Sequence, residues 1–349
     1  MIRPSLRFVL AFGLFLLACN LFSLPASSPT PDLLATLQAI PPASPIPATP
    51  ARRPTSTPLS VDLPTPSPTA TSGNGPQGHI VFTCQLFRTQ ASEQICLINA
   101  DGSGWRRLTT EDNLRHFYPS LAPDGRSVVY SAFRQENVVE IYEMDLTTGQ
   151  VTQLTNRLGV LTAPEISPDG SRIAFTRWTP NSDRYMIWTM GRHGENAANI
   201  PHAEGWDPTW APDGQRILFA SQRDGPIQLY VINLNGKGLR KMTSLPALRG
   251  RSDWSPDGRW IVTYSGLAWQ REIYLLDAKS LNARIISPPG GNSQGPAFSP
   301  DGQWVVFTAY FDHPNDEHGC EIYIMRLDGS DLRRLTDNDY CDYQPRWGP

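Results

Sequence analysis

Six histidines, five cysteines and two short acidic segments near the C-terminal end are the groups in this sequence best suited to metal or thiol chemistry. One segment reads Asp312-His313-Pro314-Asn315-Asp316-Glu317-His318, the other Asp337-Asn338-Asp339. Oxygen ligands at alternating positions suit Ca²⁺, and paired imidazoles suit Zn²⁺. His313, Asp316, His318, Asp337 and Asp339 are therefore the candidate metal ligands. Neither spacing matches a named metal loop. A solvated charged loop is the preferred reading of both segments, so no cofactor is assigned and Ca²⁺ is kept only as the cation to watch for.

The fifth cysteine has a different context. Arg3 and Arg7 precede an apolar run, Phe8 to Ala18, too short to span a bilayer comfortably. The run ends in Leu16-Leu17-Ala18-Cys19, which resembles the bacterial lipobox. That resemblance implies a signal peptide over 1–18 and a thioether-linked lipid on Cys19, held firmly by two or three acyl chains. Fourteen prolines then lie between Pro25 and Pro76 among Ser, Thr and Ala. Such a segment cannot bury a core, and 19–76 is read as an extended tether. The formal net charge of -3 offers no clustered Lys and Arg for phosphate, so nucleic acid is not an expected partner.

The elements that must position any site follow from a repeat. Ser/Ala-Pro-Asp-Gly begins at Ala122, Ser167, Ala211, Ser255 and Ser299, spaced 45, 44, 44 and 44 residues apart. Pro sets φ at the first corner, Asp bonds back to the backbone, and Gly takes the left-handed position. An alternating strand follows each turn, as in Ile217-Leu218-Phe219. A third strand (Leu229-Tyr230) and a fourth, often ending in Leu-Thr, come after it. Four antiparallel strands with a period in the forties make propeller blades. Three strands ahead of the first turn lack a first strand, and Tyr343-Gln344-Pro345-Arg346-Trp347 is a first strand without the other three. The expected fold is all-β over 77–349: a six-bladed β-propeller of four-stranded antiparallel blades, in which the C-terminal strand completes the N-terminal blade and closes the ring.

These repeats resemble those of the TolB family, WD40-like propellers built on Pro-x-Trp-Ser-Pro-Asp-Gly followed by Ile-x-Phe. The resemblance covers about residues 77–349 and speaks for fold more than for function. Residues 1–76 offer no counterpart to the domain that precedes the propeller in TolB itself, so a role in the Tol complex is not carried over.

In such a blade, tight Pro-Asp-Gly and Asp-Gly turns share one face, and longer, unlike loops share the other. Variable loops on a rigid scaffold are the expected binding surface. The candidate ligand-binding residues, from the stretches before the repeat prolines, are His116, Tyr118, Trp206, Asp207, Arg251, Asp342 and Tyr343. Trp210, Trp254 and Trp347 are assigned to packing between blades. Cys84 and Cys96 face each other across one hairpin, and Cys320 lies near Cys341, so disulfides are expected between each pair, as suits an exported chain. The function read from all this is a binding or scaffold module, a monomer held outside the cytoplasm by lipid. It faces the cell surface or periplasm and recognises a protein, a peptide or cell-wall glycan. The competing reading is a metal-dependent propeller enzyme, a lyase or hydrolase acting on extracellular carbohydrate. The six histidines, which share no repeat position, weaken it. Cells fed labelled palmitate should incorporate it into the wild-type chain and not into Cys19→Ala; label retained in the variant would remove the anchor.

Overall fold

The structure, a computed structural model, describes residues 75–87 and 93–349. The signal peptide, Cys19 and nearly all of the tether lie outside the described residues. Within them, every named element is a β-strand.

The repeat turn forms as its residue types require. Gly125, Gly170, Gly214, Gly258 and Gly302 have φ between 63° and 75°, which a side chain would disfavour. Each glycine N–H donates to the carbonyl three residues back at 2.8–2.9 Å. Each Asp Oδ1 accepts the N–H two residues on, for example Gln215 N to Asp213 at 2.9 Å and Arg259 N to Asp257 at 2.9 Å. Five identical corners therefore deliver the chain from a first strand into a buried second strand such as Trp304–Ala309.

Four separate four-stranded antiparallel sheets result, and the remaining eight strands join in one sheet. The expected count of six separate blades is thus not met as such. The eight-stranded sheet contains two of the sequence repeats, linked by a single parallel bridge between Val139 and Val160. The strand Asp342–Gly348 pairs antiparallel with His79–Gln85, the first described strand.

Buried clusters lie between successive repeats. Ala174, Ile187 and Trp210 pack with Phe219, and Val262 and Leu275 pack with Phe307 and Met325. Another unites Ile80, Phe82 and Ile98 of the first sheet with Trp304, Val306 and Ile324 of the last. Trp210, Trp254 and Trp347 are all buried, as assigned.

Five of the six outermost strands are only two or three residues long, as in Arg240–Lys241 and Ala283–Ile285, too short to hold themselves by ladder bonds; the sixth, Ala198–Glu204, has seven. A hydroxyl brace holds the short ones. Thr109, Thr155, Thr243, Ser287 and Thr336 each accept the third strand's backbone N–H at 2.9 Å through the side-chain oxygen. Each hydroxyl then donates to the Gln or Glu just before that N–H: Gln94, Glu140, Gln228, Glu272 or Glu321. Every partner is thereby satisfied in a largely buried place. The two expected disulfides are present, Cys84–Cys96 and Cys320–Cys341, with Cα atoms 5.9 and 4.5 Å apart.

Replacing Thr243 by Val leaves the Leu229 N–H and the Gln228 carbonyl oxygen without this partner. Unfolding in urea should show a loss of about 1–3 kcal/mol, whereas Thr243→Ser, which keeps the hydroxyl, should lie near the parent. Equal stability of all three would mean that the brace holds nothing.

Candidate functional site

The first strand of five of the six repeats carries a local break where it starts. Tyr118, Ala163, Asp207, Gly295 and Gln344 have φ of 52–56°, and each immediately precedes a proline of the repeat. The pairing with the second strand shifts register at this point in all five. A left-handed residue makes a bulge and re-aims its side chain, and the proline after it gives up a ladder N–H. In the sixth repeat Ser252 stands where the others have proline, and Asp253–Trp254 is all that remains of the strand.

The bulges assemble two layers. In the first, the Arg251 guanidinium lies 5.0 Å from the centre of the Tyr118 ring, and its Nη2 donates to the Pro119 carbonyl at 3.4 Å. Asp207 Oδ2 accepts the Arg251 backbone N–H at 3.0 Å. Gly250 is required beside them, because a Cβ there would lie 2.6 Å from Asp207 Oδ2 and 3.2 Å from Trp206 Nε1. Gln344 Oε1 accepts from Tyr118 N and from Thr83 Oγ1, each at 3.0 Å. Burial pushes the Asp207 carboxyl up, against the opposing pull of Arg251. Burial, aided by the charge of Arg346, brings Arg251 down to about 10, so it stays cationic at neutral pH.

The second layer is set by residues one step past the repeat proline. Glu165 accepts from Thr209 Oγ1 and from the Trp210 N–H at 3.1 Å. Asp253 accepts the Phe298 and Trp254 N–H groups, each at 2.8 Å. Arg346 Nη2 reaches Glu165 Oε2 at 3.3 Å and the Ser252 carbonyl at 3.2 Å. Burial first, then the charge of Glu165, lifts Asp253 to about 6 against the attraction of Arg346. These three side chains line a cavity of about 350 Å³ walled by Trp210, Trp254 and Phe298. It opens at the Pro-Asp-Gly end of the strands, the face taken from the sequence to be occupied by tight turns. A second cleft, of about 420 Å³, lies on the loop side and is lined by Asn137, Arg157 and Arg177 among others.

Of the seven candidates, Tyr118, Trp206, Asp207 and Arg251 come together. His116, Asp342 and Tyr343 do not join them and are buried in the scaffold. His116 packs edge-on against Tyr130 at 5.6 Å, and burial lowers it to about 4, leaving a neutral ring at pH 7. Asp342 accepts from Asn338 Nδ2 at 2.9 Å, and burial together with the charge of Glu321 raises it well above the ordinary carboxyl range. Tyr343 donates its hydroxyl to Glu93 at 3.0 Å. A strand's start places residues near the mouth but does not say which of them turn inward.

The candidate metal ligands are likewise not gathered. Arg334 bridges Asp312 and Asp337 at 2.8 and 2.7 Å, and His318 Nδ1 lies 3.2 Å from Gln85 Oε1. Among the described residues, no three His, Cys, Asp or Glu side chains are placed to hold a metal ion. Sequence reasoning missed Glu165, Asp253 and Arg346. Their signal was a charge at a repeat position that elsewhere holds Ser120, Thr209 or Ala297.

Residues 76–313 match the family described as the TolB beta propeller domain. The chain belongs to that family. An uncharacterised protein of Agrobacterium fabrum is 29% identical over 152 residues, covering 41% of this chain and 50% of its own length. The Tol-Pal system protein TolB of Francisella tularensis subsp. tularensis is 31% identical over 120 residues, covering 34% of this chain and 27% of its own. The chain therefore spans half or less of the length of these relatives. The crystal structure of TolB from Acinetobacter baumannii superposes with a TM-score of 0.67 at 23% identity, covering 78% of this chain and 67% of that one. The likeness establishes the TolB-like fold.

Proposed function

We propose that this TolB-like propeller is an extracytoplasmic binding module, exported by residues 1–18, held by lipid on Cys19 and displayed on the tether up to residue 76. Its partner is a protein or peptide that engages Tyr118, Trp206, Asp207 and Arg251. One observation carries the reading: Arg251 is buried beside Tyr118, yet two of its guanidinium nitrogens, Nε and Nη1, have no acceptor. A buried donor without a partner is costly, and an incoming carbonyl or carboxylate relieves that cost. Trp, Tyr and Arg are also the residue types in which interface energy concentrates. Two disulfides support an oxidising compartment. The relative named for the Tol-Pal system supports a protein partner over a glycan.

The same proposal includes the blade count. Within the eight-stranded sheet each repeat keeps its own four strands, and one bridge alone joins them. Counting them separately gives six blades. The pairing of Asp342–Gly348 with His79–Gln85 and the shared core of first and last sheets support a closed ring.

Two measurements test these readings. Deleting 343–349 strips the first blade of its inner strand and exposes sheet edges. The truncated chain should be insoluble or melt far below the parent, and a soluble product melting within a few degrees would count against closure. Binding is tested by capture from envelope protein extracts. Trp206→Ala and Tyr118→Ala, each checked for a native melt, should weaken capture by about 30-fold if each is an anchor worth about 2 kcal/mol. Changing Arg126, Gln215 and Arg259 on the turn face to Ala should leave capture unchanged. The opposite pattern would move the binding surface to the turn face.

A further inference from the structure

Thirteen buried side-chain nitrogen and oxygen atoms among the described residues have no hydrogen-bond partner, and seven of them belong to residues that neighbour one another in sequence or across paired strands. They are Ser265 Oγ, Arg271 Nε, both amide atoms of Asn292, Ser293 Oγ, Gln294 Nε2 and Thr308 Oγ1. All six side chains are at most 3% exposed. They belong to the loop ends of two neighbouring repeats. Ser293 N donates to the Arg271 carbonyl at 2.8 Å, and Gln294 pairs with Thr308 across the strands.

The chemistry of the cluster is biased towards donors. Arg271 Nη1 donates to Gln294 Oε1 at 2.6 Å, which fixes that amide and commits its Nε2 as a donor facing elsewhere. Arg271 Nε is a second fixed donor. Arg249 stands close enough for the charge of Arg271 to lower its pKa further, after burial. Among the described residues neither arginine has a salt-bridge partner; the neighbouring acid, Glu272, is engaged by Ser287 Oγ. Water can satisfy hydroxyls and amides, but it does not compensate two neighbouring guanidinium charges. The cluster is complementary to an anion. Asn292 Oδ1 adds an acceptor that an anion alone would leave empty.

We propose that this cluster is a binding site for a small carboxylate that also carries a hydroxyl, independent of the partner surface at Tyr118 and Arg251. The carboxylate takes the Arg271 and Gln294 donors and the Thr308 hydroxyl beside Gln294, and the ligand hydroxyl donates to Asn292. The loop beside it, from Gly266 to Gln270, includes left-handed residues at Gly266 and Trp269, and Trp269 rests on Tyr310 at 5.2 Å. This loop is the route of entry.

The test uses the full chain, with calorimetry and thermal melts in glycolate, lactate, acetate, glycerol and inorganic phosphate. Glycolate or lactate should bind and raise the melting temperature. Acetate should bind about 10-fold more weakly for want of the hydroxyl, and glycerol should not bind. Arg271→Met should lose about 10-fold or more in affinity. Thr308→Val gives a readout that survives if Arg271→Met fails to fold. It should weaken glycolate binding while melting no lower than the parent, since it deletes a buried hydroxyl that has no partner. Three results would overturn the proposal: no response to any carboxylate at tens of millimolar, phosphate binding as tightly as glycolate, or a Thr308→Val chain that melts lower and binds unchanged.

Discussion

The left-handed residue ahead of the repeat proline is the constraint on which the rest of this structure depends. A first strand that paired along its whole length would direct alternate side chains into its own blade. The bulge at Tyr118, Ala163, Asp207, Gly295 and Gln344 breaks that alternation at one equivalent point. Residues at and just after this point bond across repeats instead. Contacts such as Thr209 to Glu165, Arg251 to Asp207 and Phe298 to Asp253 span 44 or 45 residues, one repeat length. The same local strain thus creates the inner layers and joins one repeat to the next.

The two ends of each blade are held by different means. The inner end is held by these cross-repeat bonds and by buried Trp and Phe side chains. In five of the six repeats the outer strand has no such neighbours and is too short for a strong ladder. Its hydroxyl brace moves one hydrogen bond from backbone to side chain, and so ties the outer strand to the strand beside it. The carboxylates in the brace accept from a hydroxyl and, at Glu140 and Glu321, also from a backbone N–H. Those bonds oppose the burial that raises the Glu321 carboxyl, so the group is held where an unpaired charge would not be tolerated.

The blades were legible in the sequence because their corners are chemical. Pro, Asp and Gly each have one task in the turn, and a fixed spacing between them repeats it. The disulfides were legible for a related reason, since strand positions bring Cys84 to Cys96 and Cys320 near Cys341. The brace was visible too, as a Gln or Glu fifteen residues before a Thr or Ser, but only once the outer strand is known to need support. Separation of the blades was not legible. Whether Val139 and Val160 form one bridge depends on how closely two repeats approach, which no spacing encodes. The candidate site was half legible: the repeat marked the strand starts, but the direction of each side chain is set by the bulge. Hence Tyr118 and Asp207, on the left-handed residue itself, joined the cluster, while His116, two residues earlier, went into the core.

That division has a consequence for where binding can reside in a repeat protein of this kind. Positions that obey the repeat, such as those of the hydroxyl brace, are occupied by side chains whose hydrogen bonds recur from blade to blade. Positions that depart from it lack the matching partner. Arg251 lies in the one repeat with Ser in place of the proline, and two of its nitrogens keep unmatched donors. Arg346, Glu165 and Asp253 put charge where other repeats have small neutral residues, and they line the turn-end cavity. Asn292, Ser293 and Gln294 lie in a connection whose counterparts differ in sequence, and their polar atoms are again unmatched. Periodic residues build the scaffold because each finds its equivalent in the next blade. The aperiodic ones are where unmet hydrogen-bonding capacity accumulates, and unmet capacity is what a ligand can satisfy.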